Sequence, residues 1–340
     1  EAATHTMSLT GASVEERLAE VEALMGRLAR GAPDDVLGPL VAEHLQTGGK
    51  RLRARLALAA SRALGAAWPA AVSWAAACEL AHNATLVHDD LQDGDTTRRG
   101  HPTVWARHGA VQAINVGDLL FMLPYVAVGE MDAPAATRAA LSRAVGEGLA
   151  VVIRGQALEC SITARGITDR PIYDATIRGK TSALFTLPVT GAAILAGHGD
   201  PAAVAAPFSA LGALFQMQDD VLDLYGNKGR EASGSDVREG KISALVVEHL
   251  AHHPNDRPWL LSVLQTPREA TPDAEVAKVI ERLHAGGTVD RVLEAINRES
   301  EIARAGAAQS GVPGLSRLMQ ELVELVLAPI AHLWAQRRGP

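Results

Sequence analysis

HNATLVHDDLQDGDTTRRGHPTVW, residues 82–105, is the stretch on which the reading of this chain turns. Asp89, Asp90, Asp93 and Asp95 put four carboxylates into seven positions directly after an apolar run, and Arg98, Arg99 and Gly100 come soon after. If residues 75–92 are helical, Asp89 and Asp93 share one face and Asp90 lies about 100° round from them. Gly94 is a natural helix stop, so the acids crowd a last turn where the backbone dipole is negative and each costs ~0.3–1 kcal/mol. A hard divalent cation relieves that crowding; Mg²⁺ takes carboxylate oxygens, keeps waters and is commonly shared with substrate phosphates.

A solvated turn is the bland alternative, and Asp34-Asp35 after Pro33 reads as one. The pattern, however, returns in FQMQDDVLDLYG, residues 215–226, with Asp219, Asp220 and Asp223 again at i, i+1 and i+4, after an apolar run and before a glycine. Two copies of DDxxD at helix ends suggest two helices presenting carboxylates across a cavity to shared Mg²⁺ ions and a polyphosphate. In TGGKRLRAR, residues 47–55, Lys50, Arg51, Arg53 and Arg55 cluster beside a glycine pair. Alone, that patch is an anion site or a solvated face; beside two acidic motifs the anion site is favoured, because a phosphate substrate wants metal and Lys or Arg together.

The 340 residues carry 47% apolar and 4% aromatic side chains, with a net charge of −7. Such a chain has ample core, and its alanine-rich, aromatic-poor composition favours packed helices over a β-sandwich. The negative balance excludes a nucleic-acid surface. Cys78 and Cys160 are read as buried free thiols, which suits a cytoplasmic protein. Residues 1–12 are read as a disordered lead or expression remnant with no secretory signal, and residues 13–340 as one domain. No apolar run of spanning length escapes interruption by charge, glycine or proline.

Taken in order, Ser13-x-x-Glu16 reads as a capping box starting a helix near residue 14 that stops near Gly31. A second helix from about Leu40 carries the basic patch through to Leu64. Further helices are expected over 68–92, 111–128 with a kink at Pro124, 139–161, 173–197 and 208–225. A polar, glycine-rich loop spans 226–241, and the remainder is helical with breaks at 253–257, 267–272 and 311–314. Gly179-Lys180-Thr181 is not a phosphate-binding loop, since Asp174 stands where that motif needs glycine. It remains a buried lysine beside a hydroxyl. With no sustained period-two alternation and no repeat, the class is all-α, a single-domain bundle of ten or more helices.

The chain closely resembles the trans (head-to-tail) isoprenyl diphosphate synthases from about residue 14 to its end. GGKRLR at 48–53, HDDLQD and DTTRRGHPT within 88–103, GQ at 155–156, KT at 180–181, FQMQDDVLD at 215–223 and GSDVREGK at 234–241 carry the likeness. The resemblance implies helices around a deep central cavity, a homodimer, and three Mg²⁺ ions, replaceable by Mn²⁺, that clamp an allylic diphosphate. It implies that Asp89, Asp93 and Asp219 hold the metals, with Asp90, Asp220 and Asp223 in support. Arg98, Lys180, Lys241 and Arg230 would meet the allylic diphosphate, and Lys50, Arg53, His82 and Arg99 the isopentenyl diphosphate. Thr181 and Gln216 would stabilise the carbocation. Three departures stand out: Ala54 replaces the family's proline after GGKRxR, Glu159 replaces an aspartate near GQ, and Arg230 replaces a loop lysine.

Chain length in this family is set upstream of the first acidic motif, where farnesyl-specific relatives place an aromatic. Here that position is Ala84, followed by Thr85, with Ala81, Ala77 and Cys78 one and two turns back and Trp74 the first bulky residue. Phe121 and Met122 on the neighbouring helix are the other candidate floor. Ala84 to Trp74 spans about 15 Å of helix. The expected product is therefore C20, with a longer chain (C25 or more) as the alternative. A non-catalytic partner subunit is disfavoured by the intact acids, and a class I terpene cyclase by the second DDxxD and the basic patch.

Overall fold

The computed structural model describes residues 7–225 and 233–337, so Lys228 and Arg230, expected over the diphosphate, lie outside the described residues. Among the described residues the regular secondary structure is helical except for one hairpin, in which Thr97–Arg98 pairs antiparallel with His101–Pro102. The helices are α1 (Ala12–Arg30), α2 (Leu37–Gln46), α3 (Leu52–Ala63), α4 (Trp68–Asp93), α5 (Val104–His108), α6 (Ala110–Glu130), α7 (Ala135–Arg165), α8 (Arg170–Ile177) and α9 (Ala183–Leu195). There follow α10 (Pro201–Ala205), α11 (Ala210–Asp223), α12 (Ser235–Arg238), α13 (Ala244–His252), α14 (Arg257–Leu264), α15 (Asp273–Ala285), α16 (Thr288–Gln309), α17 (Pro313–Leu327) and α18 (Ala331–Arg337).

Where the sequence suggests one domain, contacts group into two compact units, each made of three separate stretches. The first takes Glu1–Ala150, Leu184–Pro207 and Ala307–Glu321; the second takes Val151–Ala183, Phe208–Gly306 and Leu322–Pro340.

In the first unit α4 is the central helix. Its small and apolar residues leave little polar surface, so Ala75, Ala76, Ala77, Leu80, Ala81 and Ala84 are fully buried, and α3 and α6 pack against it. Pro69 fits its first turn, and Gly94, at φ 73°, ends it where a left-handed residue costs least. The indole of Trp74 donates to the Pro188 carbonyl at 2.9 Å. At Gly191 any Cβ would come within 2.0 Å of that ring, so the glycine is what lets α9 seat on the tryptophan.

The structure departs from several sequence expectations. The capping box is not used: α1 starts at Ala12, and the Gly11 carbonyl takes the amides of Val14 and Glu15 at 3.0 Å each. Residues 8–11 belong to the fold rather than to a loose lead, since Leu9 is fully buried and its amide donates to Glu321 at 2.8 Å. The expected second helix is two, α2 and α3, because Gly48 (φ 83°), Gly49 (φ 128°) and Arg51 (φ 50°) turn the chain left-handed between them. Cys78 is buried, but Cys160 is exposed. Finally, α6 and the stretch Pro313–Arg337 are long and apolar enough by composition to cross a bilayer, although Asp118 interrupts α6 and its Val116, Leu120 and Val128 are fully buried.

In the second unit α11 packs against α8, α13 and a π-helical turn, Arg178–Ser182, that joins α8 to α9. The C-terminal helices break where expected, with two additional breaks, at Gly286-Gly287 and at the 3₁₀ turn Ala328–Ile330.

Candidate active site

In the first unit the acidic end of α4 takes its form from the turn and hairpin after it. Gly94 reverses the chain, and the hairpin with Arg99 (φ 52°) and Gly100 (φ 77°) at its tip brings Arg98 back onto Asp90. The Arg98 fork grips that carboxylate from Nε at 2.9 and 3.1 Å and from Nη2 at 2.6 Å. Asp90 is 2% exposed, so it is a buried ion-pair partner, whereas Asp89 is half-buried and Asp93 exposed. Adjacent acids thus differ: Asp90 fixes the arginine from a buried position, and Asp89 and Asp93 are more accessible.

The basic side lies on the turn before α3. The Arg99 guanidinium donates to the Gly48 carbonyl, and a Cβ at Gly49 would sit 2.8 Å from it, so this close approach requires glycine. Not every cation of the cluster is available. Arg51 is taken by Glu22 at 2.5 Å and the Leu45 carbonyl at 2.7 Å, and Arg55 by Glu15 and the Leu9 carbonyl. Lys50 is exposed, and Arg53 is buried with its guanidinium 4.6 Å over the Phe185 ring. Burial lowers the Arg53 pKa to about 10, which still leaves it charged at neutral pH. His82 is held far below the usual histidine range by burial and then by Arg53, Arg98 and Arg99, so it is neutral. Its Nδ1 is buried and has no hydrogen-bond partner among the described residues.

In the second unit the middle acid is again buried, but here the last acid of the motif is buried with it. Asp220 is 1% exposed and accepts from the Ala244 amide at 2.8 Å, Lys241 Nζ at 2.8 Å, Gln216 Nε2 at 2.9 Å and the Tyr173 hydroxyl at 3.4 Å. Burial disfavours the Lys241 ammonium, but Asp220, Asp236 and Asp219 outweigh it and hold its pKa well above normal. Burial and then Asp220 likewise push the Tyr173 hydroxyl up. Asp223 is buried and accepts the Asp236 amide at 3.1 Å, tying α11 to α12, while Asp219 is half-buried. Lys180, Thr181, Gln216 and Lys241 line one cleft together with Glu159 and Tyr173. Lys180 is therefore half-buried rather than buried, and its Nζ lies 2.7 Å from Glu159.

Lys180 and Thr181 reach this cleft because the π-turn moves them out of α-helical register. Glycines on both sides hold the turn. A Cβ at Gly155 would be 2.4 Å from Lys180 N and 2.9 Å from Gly179 Cα, and one at Gly212 would be 2.1 Å from Ser182 Oγ. Sequence reading notes Gly155 only as part of the GQ motif and misses Gly212 and Tyr173, since only packing reveals what they touch.

Among the described residues no group of three or more His, Cys, Asp or Glu converges to hold a metal unaided. Within each unit, the more accessible carboxylates, Asp89 and Asp93 in the first and Asp219 in the second, are of the type a hard cation takes when water and phosphate oxygens complete its shell.

The polyprenyl synthetase family model matches residues 35–283. The chain belongs to the polyprenyl synthetase family. It is similar to a short chain isoprenyl diphosphate synthase of Methanothermobacter thermautotrophicus, 36% identical over 257 residues, which cover 72% of this chain and 76% of the relative. Among solved structures it is similar to geranylgeranyl pyrophosphate synthetase from Pyrococcus horikoshii Ot3, with 28% identity, TM-score 0.81 and coverage of 92% and 97% of the two chains. It is also similar to a polyprenyl synthase from Caulobacter crescentus CB15 complexed with calcium and isoprenyl diphosphate, with 26% identity, TM-score 0.80 and coverage of 94% and 98%. This polyprenyl synthetase is accordingly a prenyltransferase of the short-chain prenyl diphosphate synthase kind.

In this polyprenyl synthetase the residues expected to limit chain length separate clearly. Ala84, Ala81 and Ala77 are fully buried, and Thr85 is buried with its hydroxyl on the His82 carbonyl at 2.6 Å. Met122 is 56% exposed, which removes it as a floor within this chain. Phe121 stands with its ring 5.4 Å from that of His88, one turn above Ala84 and beside the acidic motif. Trp74, fully buried and fixed by the Pro188 carbonyl, is the bulky residue below the small ones.

Proposed function

We propose that this enzyme condenses isopentenyl diphosphate with an allylic diphosphate, in a Mg²⁺-dependent reaction, to give an all-trans C20 prenyl diphosphate. The observation that carries the proposal is the division of labour in both DDxxD motifs. One acid of each is buried against a cation, Asp90 with Arg98 and Asp220 with Lys241, while Asp89 and Asp219 are half-buried and Asp93 is exposed. A purely structural role would not need a second, more accessible acid beside the buried one in both motifs.

Asp89, Asp93 and Asp219 would hold the Mg²⁺ ions, with Asp90, Asp220 and Asp223 fixing the geometry around them. When bound, Mg²⁺ neutralises charge building on the leaving diphosphate. The chain supplies the rest. Arg98, Lys180 and Lys241 orient the allylic diphosphate and share its charge as the carbon–oxygen bond breaks. Thr181 and Gln216 place oxygen dipoles where the allylic carbon becomes positive. Lys50, Arg53 and Arg99 hold the isopentenyl diphosphate so that its double bond attacks from a fixed position. His82, neutral and with an unpartnered Nδ1, offers that diphosphate one further hydrogen bond. The new carbon–carbon bond leaves a cation, and its adjacent proton passes to the departing diphosphate.

A C20 product is supported by the small residues below the acidic motif, from Ala84 down to the fixed indole of Trp74. The test is Ala84→Phe, which fills the first position of that column. Incubated with isopentenyl diphosphate and a C5 primer, the variant is expected to stop at C15 or shorter. An unchanged C20 product would place the stop elsewhere.

A homodimer belongs to the same proposal. Val111, Ile114, Met122 and Val126 are 43–73% exposed on α6, and spacings of three, four and eight residues put them on one face. A second copy would cover that face, with the exposed Asp118 sitting between its apolar residues.

A further inference from the structure

We propose that Glu79 is a positioning residue for the isopentenyl diphosphate pocket, its buried carboxylate holding the turn that presents Lys50 and Arg53. The inference rests on the reading of Lys50, Arg53, His82 and Arg99 as that pocket. Glu79 lies on α4 one turn before His82 and is 3% exposed, an expensive place for a carboxylate unless it is bonded. Its Oε2 accepts the Ala54 amide at 3.1 Å, and its Oε1 lies 3.4 Å from Asn83 Nδ2 and 3.9 Å from Arg51 Nη1.

The Ala54 bond matters because of where that amide sits. Ala54 is the third residue of α3, so its N–H is one of the four that a helix start leaves without an internal acceptor. Arg51, in the left-handed region at φ 50° and ψ 39°, precedes α3 and gives no side-chain cap. Glu79 supplies the cap from another helix. A carboxylate at a helix start is also favoured by the backbone dipole. One buried group thus fixes the residue after Arg53 by a hydrogen bond and draws the guanidinium of the residue after Lys50. Asn83 completes the support: its Nδ2 donates to the Glu79 carbonyl at 2.8 Å and its Oδ1 meets His44 Nε2 at 3.0 Å. Burial lowers the His44 pKa to about 4, so that ring is neutral and can donate to Asn83 without adding charge.

Glu79 does not itself touch substrate; it sets the start of α3, and α3 sets the two cations. A carboxylate is required because both oxygens accept. A glutamine must turn its NH₂ toward either the Ala54 amide or the Asn83 and Arg51 donors, and an aspartate is one methylene short.

The experiment measures KM for each substrate separately, and kcat, in Glu79→Gln and Glu79→Asp, with Lys50→Ala beside them and circular dichroism confirming the fold. Both Glu79 variants are expected to raise KM for isopentenyl diphosphate by about five-fold or more. The allylic KM and kcat should stay within about two-fold, a split that general loosening of the fold would not give. Should one variant not fold, the other decides. An isopentenyl KM within about two-fold of wild type, or both KM values moving together, overturns the proposal. If Lys50→Ala raises that KM while the Glu79 variants do not, only the role of Glu79 falls. If Lys50→Ala leaves it unchanged as well, the pocket reading itself has failed.

Discussion

Asp219→Asn is expected to lower turnover by ~10³-fold or more while the protein still melts as wild type does. The side chain is half-buried, so the change removes a carboxylate oxygen proposed to hold Mg²⁺ without opening the core. Its neighbour should behave in the opposite way. Asp220 anchors the Ala244 amide, Lys241, Gln216 and Tyr173 at once, and Asp220→Ala takes the nearest carboxylate from the Lys241 ammonium, leaving Asp236 at 3.5 Å. Breaking such a pair costs ~3–5 kcal/mol, so this variant should lose both activity and melting temperature. Turnover and thermal unfolding measured on the two variants check the contrast. Equal loss of melting temperature in both would show that the two acids do the same structural work.

Gly155→Ala is the second large effect. The added Cβ meets Lys180 N at 2.4 Å and the Gly179 carbonyl carbon at 2.7 Å, both backbone atoms that cannot swing aside. Either α7 or the π-turn must shift by several tenths of an ångström. Lys180 and Thr181 ride on that turn, and a displacement approaching 1 Å in a positioned group costs ~10²-fold in rate. The variant is expected to keep its helical circular dichroism and lose about that factor in kcat. A wild-type kcat would show that the π-turn tolerates the shift and that its register is not set by α7.

The sequence makes the helical class, most element positions and the acidic motifs readable because they are local: apolar run, carboxylates at i, i+1 and i+4, then glycine. It does not tell which of two adjacent acids is covered. That depends on Arg98, returned by a hairpin, and on Lys241, far from Asp220 along the chain. The unused capping box at Ser13 has the same cause, since tertiary packing of Leu9 and Glu321 moves the helix start upstream. The π-turn, Tyr173 and Glu79 carry no local signal either. Each acquires its role from a partner on another helix. Met122 and Cys160 mislead for a related reason: an apolar neighbourhood in sequence does not say which side of a helix is covered.

The most direct test is product analysis with purified enzyme, isopentenyl diphosphate and C5, C10 or C15 allylic primers, each with Mg²⁺ and with the metal chelated. One C20 prenyl diphosphate is expected from the primers that are accepted, and none when Mg²⁺ is removed. Failure to elongate any primer with Mg²⁺ present, or equal elongation without it, would contradict a Mg²⁺-dependent synthase built on the two acidic motifs.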